Sequence, residues 1–235
     1  MKLLMENWRG FLKEGIDPRI QKQVDGLLTF KPGKMGIVIR RHGRFVDVMY
    51  DRLQGEKMKG EPHGSVMFGK ASPNIEGKCF DGWIVTLSAA LSGWGPLLYE
   101  VALEWASQNG GGLMADRNVV SGEAAAVWSK YAARSDVETN QMDIAHGLAK
   151  SGMKRYGPTK EVPSRAGPLI TRTISADDIP QLTPDNPDDD CEQNQAIKTA
   201  GPEGWVDTPH SKIYKKDTTE VMDTLQKAGL LRVEL

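Results

Sequence analysis

At 235 residues, 39% of them hydrophobic and 26% charged, the chain has the size and make-up of a globular protein with one large core or two small ones. A formal net charge of −1 excludes a global pull toward nucleic acid or membrane, although the balance is uneven along the chain. Residues 1–60 hold 13 Lys and Arg against 7 Asp and Glu, whereas Thr173 to Ile197 contains no Lys or Arg at all.

In chain order, "MKLLMENWRGFLKEG" puts Leu4, Trp8, Phe11 and Leu12 on one helical face and stops at Gly15, which predicts a short amphipathic helix over residues 1–15. Such a helix either packs on the body of the fold or docks in a partner's groove. It loosely resembles the leader helices that target proteins into tailed-phage heads. Residues 36 to 70 read as a β-meander: "GIVIR", a turn at "RHGR", "FVDVMYD", and after a charged loop "SVMFGKA". "GWIVTLSAA" from Gly82 alternates as a strand.

"SGWGPLLYEVALEW" follows directly, with Pro96 at a natural first helical position and Leu97, Leu98, Val101, Ala102 and Trp105 forming an apolar stripe. The helix ends at "NGGG" from Asn109. "LMAD" from Leu113 predicts a brief buried strand, and Ser121 an N-cap for a second helix that turns Ala124, Val127, Trp128 and Tyr131 inward.

Past residue 135, "GPLITRTI" and "SKIYKK" are candidate strands and "TTEVMDTLQKAGLL" a closing helix. Between them "SADDIPQLTPDNPDDDCEQNQ" reads as a long acidic loop. The expected organisation is a helix over 1–15, a core over 16–135, and an extension over 136–235.

Cys79 and Cys191 stand far apart with no CxxC, so neither a disulfide framework nor a zinc site is expected, and a reducing, cytoplasmic compartment fits. No apolar stretch approaches the roughly 20 residues of a membrane span, and the start lacks a signal peptide's apolar core. His42, His63, His146 and His210 have no metal-ligand spacing. "DNPDDD" from Asp185 lacks the glycine and distal Glu of a calcium loop. No metal is expected, and no nucleic-acid-binding motif is visible.

The functional signal is the glycine turn. A strand feeding a Gly-rich turn and then a helix offers free backbone N–H groups and the positive end of a helix dipole, which together suit an anion such as a diphosphate. Pro96 has no N–H, leaving Trp94, Gly95, Leu97 and Leu98 as donors. A Walker loop would need Lys and then Ser or Thr after its second glycine, where Pro96 and Leu97 stand. A dinucleotide fingerprint would need glycine at Leu98 and a parallel βαβ context.

The stretch from Trp83 to Tyr131 resembles the GCN5-related N-acetyltransferase (GNAT) superfamily: a central strand, a (Gln/Arg)-x-x-G-x-(G/A) turn, a helix, a further strand and a second helix. Gly93 and Gly95 match the two glycines, and Ala90 stands where the superfamily usually has Gln or Arg. The resemblance implies a GNAT-like α/β (α+β) fold with a mixed, mainly antiparallel sheet flanked by helices. It also implies that the turn amides hold the diphosphate of acetyl-CoA, an acyl-coenzyme A donor, while the strand end with Leu87 and Ala89 pairs with the pantetheine arm. The superfamily's Tyr, which often protonates the leaving thiolate, aligns with Trp128, whose indole is no acid near neutral pH. Tyr131 lies one turn later. Asp81 and Asp116 are the candidate bases for the amine.

Two functions are therefore expected as alternatives. One is N-acyl transfer to an amine of a small molecule or protein. The other is a non-catalytic interaction or virion-associated protein that keeps this fold and docks through residues 1–15, in a host cytoplasm or a phage particle.

Overall fold

The computed structural model describes residues 16–30, 35–54, 63–71, 78–115, 120–144, 188, 190–191 and 209–234. The helix expected over 1–15, the "GPLITRTI" strand, Asp116, His146 and most of the acidic stretch lie outside them.

Asp17 and Pro18 begin helix α1 (Pro18–Thr29): the Asp17 carboxylate accepts from Arg19 N at 2.8 Å and Pro18 takes a first-turn position. Ile20, Val24 and Leu27, spaced at helical intervals, are buried beneath it. The expected meander follows. β1 (Gly36–His42) turns through Gly43, at φ 59°, into β2 (Phe45–Asp51), which pairs with β3 (Gly64–Lys70), and β3 with β4 (Trp83–Ala90), all antiparallel. Alternation along these strands sends Ile37, Ile39, Val46, Val48, Tyr50, Val66, Phe68, Trp83 and Val85 into one core shared with the helices.

Helix α2 (Gly95–Gln108) returns along β4, and every residue from Leu97 to Ser107 is buried, because the sheet, α1 and a C-terminal helix enclose it. β5 (Leu113–Met114) and α3 (Gly122–Ala132) follow, the latter capped by Ser121 Oγ, which accepts from Ala124 N at 3.2 Å. Then come β6 (Glu138–Gln141), β7 (Asp143–Ile144), β8 (Asp190–Cys191), β9 (Lys212–Lys215), α4 (Glu220–Lys227) and β10 (Leu231–Glu234). β7 and β8 form a separate parallel pair; the main sheet has eight strands in the order β10-β1-β2-β3-β4-β5-β9-β6. Only β10 with β1 and β4 with β5 pair parallel in it. The fold is thus a mixed α/β arrangement with a mostly antiparallel sheet. The C-terminal segment supplies both an edge strand and an inner strand to it. Among the described residues no helix is long and apolar enough to cross a membrane.

One expectation fails here. Cys79 is disulfide-bonded, and Cys191 is the only other cysteine of the chain. Sequence separation concealed the pair, because a disulfide needs only spatial proximity of the two residues.

The C-terminal segment is fastened by charges inside the core. Glu104, fully buried, accepts from Lys216 Nζ at 2.7 Å and from the Val221 and Met222 amides at 3.0 and 2.8 Å, so it caps α4 from another helix. Lys216 also donates to Glu100 at 2.9 Å, and Arg134 grips the same Glu100 carboxylate at 2.6 and 2.9 Å. Burial pushes the Glu104 carboxyl upward, while the Lys216 ammonium opposes that shift. Each ion is tolerated only because its partners are in place. Lys216→Met leaves two buried carboxylates short of their shared cation and is expected to lower stability by about 3–5 kcal/mol. Adding Glu104→Gln recovers part of that loss; urea unfolding of both variants checks it.

Candidate functional site

β4 and β5 make a fork. Their parallel pairing consists of Trp83 with Leu113 and Ile84 with Met114, and then ends. On its other side β4 stays paired with β3, but the register shifts: Val85 faces Phe68 while Leu87 faces Met67, so Thr86 is an extra residue. Such a bulge bends the strand that carries it, here β4 just past its last pairing with β5. Thr86 Oγ1 donates to Met67 O at 3.3 Å, which holds the bulge in place. Beyond it, no strand among the described residues pairs with the second edge of β4, and Thr86 through Ala90 are exposed. Leu87, at 56% exposure, and Leu91, at 57%, lie along this stretch.

The open edge leads into the glycine turn. Leu91 N donates to His63 O at 3.0 Å and Trp94 N to Leu91 O at 3.0 Å, closing a tight turn. Gly93 has φ 84°, a conformation suited to glycine, and the space where its Cβ would sit is open. The turn is fixed from below: Tyr50 Oη donates to Trp94 O at 2.8 Å, and the Trp94 ring packs edge-on to Tyr50 at 5.2 Å and His63 at 4.8 Å. Gln23, buried on α1, aims its carbonyl at the start of α2 and accepts from Leu97 N at 2.7 Å.

Of the four donors expected at the turn, Trp94 and Leu97 are therefore bonded within the protein, and Leu98 is buried in the first turn of α2. The amides of Gly93 and Gly95 have no partner among the described residues. They mark what is left for an anion, together with the dipole of α2. Leu87 and Ala89 lie on the β4 segment that is open toward β5.

The expected catalytic residues are dispersed. Asp81 sits at the closed end of the fork, far from the glycine turn, with its carboxylate 2.7 Å from Lys70 Nζ. Asp116 lies outside the described residues. Tyr131 is only 4% exposed and its hydroxyl has no hydrogen-bond partner. Burial, reinforced by nearby Glu100, holds that phenol well above the ordinary tyrosine range. Trp128 stacks on Tyr214 at 5.6 Å and meets Tyr99 and Tyr131 edge-on at 5.7 and 5.9 Å, so it belongs to an aromatic column in the core.

One residue of that column reaches the fork. Tyr99, on α2, donates from Oη to Ser88 Oγ at 2.9 Å, and Ser88 lies on the exposed part of β4. Burial holds the Tyr99 phenol above the ordinary tyrosine range, and the Ser88 bond offsets only part of that rise. Tyr99 has no role in the sequence reading and stands outside the stripe of Leu97, Leu98, Val101, Ala102 and Trp105. Its spacing from Leu98 and Ala102 gave no sign that it faces β4. No protein-family model, curated protein or solved structure matches this chain.

Two substitutions separate the roles of these side chains. Gln23→Ala strands a buried amide and is expected to cost about 1–3 kcal/mol. Tyr131→Phe deletes a hydroxyl that has no partner and is expected to leave stability equal or raised by up to about 1 kcal/mol. Chemical denaturation of both reads the difference.

Proposed function

We propose that the chain binds an acyl-coenzyme A along the free edge of β4 and transfers its acetyl group to an amine. The observation that carries this reading is the exposed edge from Thr86 to Ala90, which no strand among the described residues pairs on the β5 side and which leads to the N-terminus of α2. Pantetheine is an extended chain with two amides, so it pairs with an open strand edge as a short strand does. The diphosphate beyond it meets the Gly93 and Gly95 amides. The order of strand, glycine turn, helix, strand and second helix is in keeping with the superfamily that the sequence resembles.

Transfer requires a neutral amine to attack the thioester carbonyl: the C–N bond forms, the C–S bond breaks, the amine nitrogen gives up a proton to solvent, and the thiolate takes one up. Tyr99 is the hydroxyl set at the fork for that proton, and exposed Ser88, bonded to it, connects it to solvent. This role passes from Tyr131, which is sealed in the core, to Tyr99. Holding donor and amine together in the fork supplies much of the rate. The acceptor is an amine of a small molecule or of a protein.

A second reading keeps the fold without the chemistry. Gln23 on the Leu97 amide and the buried Trp128 favour it: a non-catalytic interaction or virion-associated protein that docks through residues 1–15.

Calorimetric titration with acetyl-coenzyme A separates the two. The first reading expects micromolar binding, weakened at least about tenfold by Gly95→Glu, which sets a carboxylate beside the diphosphate. A Cβ at Gly95 meets only Ala90 Cβ, at 3.7 Å, so that variant is sterically tolerated. Tyr99→Phe is expected to slow thiol release by about 100-fold with little change in affinity, while Tyr131→Phe leaves the rate alone. Silence at millimolar ligand removes the first reading.

A further inference from the structure

The stretch from Leu91 to Leu98, "LSGWGPLL", carries no charged side chain and no histidine. An anion held there depends on neutral N–H groups and on the dipole of α2. Of the main-chain donors, Trp94 N and Leu97 N are bonded within the protein, and Pro96 has none. A further donor reaches this place from another element, α1.

α1 meets the turn through Gln23 and Gly26, which stand three positions apart and so share one side of the helix. A Cβ on Gly26 would lie 3.4 Å from Cη2 of the Trp94 ring, and Gln23 Oε1 accepts from Leu97 N at 2.7 Å. Because Leu97 N can only donate, it settles which end of the carboxamide it meets: the oxygen faces the helix, and the nitrogen is left over. Gln23 is only 7% exposed. Its Nε2 nevertheless has no acceptor among the described residues, and it is not sealed from solvent. Two N–H bonds of a side chain more than nine-tenths buried are thus left open beside the first turn of α2, where buried polar groups ordinarily have partners.

The carboxamide behaves as one more amide added to the helix. Its carbonyl takes up the Leu97 N–H as a preceding peptide does in a helix interior, and its own N–H bonds become the outermost donors. Accepting at oxygen polarises the same amide and strengthens those donors.

We propose that Gln23 is an anion-binding residue of the glycine turn, its Nε2 donating beside the Gly93 and Gly95 amides to the oxygens of a diphosphate. Gln23 takes one donor from the turn and returns another. That the diphosphate belongs to an acyl-coenzyme A rests on the function proposed above; the donor set itself serves any diphosphate that reaches it.

Titration of the nitrogen-15-labelled full chain with inorganic diphosphate, followed by NMR, tests the assignment, with the Gln23 side-chain N–H pair identified by through-bond correlation. That pair is expected to shift together with the Gly93 and Gly95 amides, with one Kd for all three. Gln23→Glu keeps an oxygen for Leu97 N but puts a second oxygen where Nε2 stood, and is expected to weaken diphosphate binding at least about tenfold. Glycine amides that move while the Gln23 pair stays still overturn the proposal, as does a spectrum unchanged at millimolar diphosphate. The same titration with acetyl-coenzyme A separates this inference from the function it rests on. If diphosphate moves all three groups and acetyl-coenzyme A moves none, the donor set stands and the acyl-coenzyme A reading falls. If acetyl-coenzyme A shifts residues 86–90 and leaves the Gln23 pair unmoved, the fork stands and the role of Gln23 falls.

Discussion

The proposed function depends on the edge of β4 beyond its two pairs with β5, which no strand among the described residues takes up. Two parallel residue pairs join them, the extra residue Thr86 follows two positions later, and β3 keeps β4 in the sheet. A strand paired on one side only presents a row of N–H and C=O groups. At the rim of a sheet that row is a liability; inside a fork, between two strands of one sheet, it is a slot for one extended chain. The closed end is zipped by Trp83 N donating to Gly112 O at 2.8 Å and Gly111 N to Asp81 O at 3.0 Å. Gly112, at φ 119°, sits so close to the Tyr214 carbonyl that a Cβ there would collide with it. The turn at 79–81 is therefore both the start of β4 and part of the fork's vertex.

The surroundings make the fork rigid. α2 is buried along nearly its whole length and tied by Glu100 and Glu104 to Lys216 and Arg134. The glycine turn is pinned by Tyr50, Trp94 and Gln23. Gln23 has two consequences. It satisfies an amide that would otherwise be buried without a partner, and it occupies that amide with a carbonyl oxygen, so that of the main-chain donors the proposed diphosphate would be left the Gly93 and Gly95 amides. A preorganised site of this kind binds its ligand with little reordering.

The parts of the fold legible in the sequence were those with local periodicity. Short apolar runs between turn residues marked β1 to β3, alternation marked β4, Pro96 and the flanking glycines marked α2, and Ser121 marked α3. "SKIYKK" became β9 and "TTEVMDTLQKAGLL" held α4. α1 was overlooked although Asp17–Pro18 is a good start signal and Ile20, Val24 and Leu27 carry the period, because polar residues fill the rest. β10 is too short to announce itself and is a strand only because β1 accepts it in parallel. Of the candidate site, the glycine turn and the strand that carries Leu87 and Ala89 were legible, since both depend on local order. Gln23, Tyr99 with Ser88, and the disulfide at Cys79 were not, since each joins residues far apart in the chain or on different elements.

The account's central claim is that the open edge of β4 is where the ligand lies. Residue-resolved amide exchange with and without saturating acetyl-coenzyme A tests it most directly. Slower exchange confined to residues 85–90 and to the Gly93 and Gly95 amides is the predicted result. Full exchange along that edge at millimolar ligand, or protection that arises elsewhere in the chain while 85–90 stays open, would contradict it.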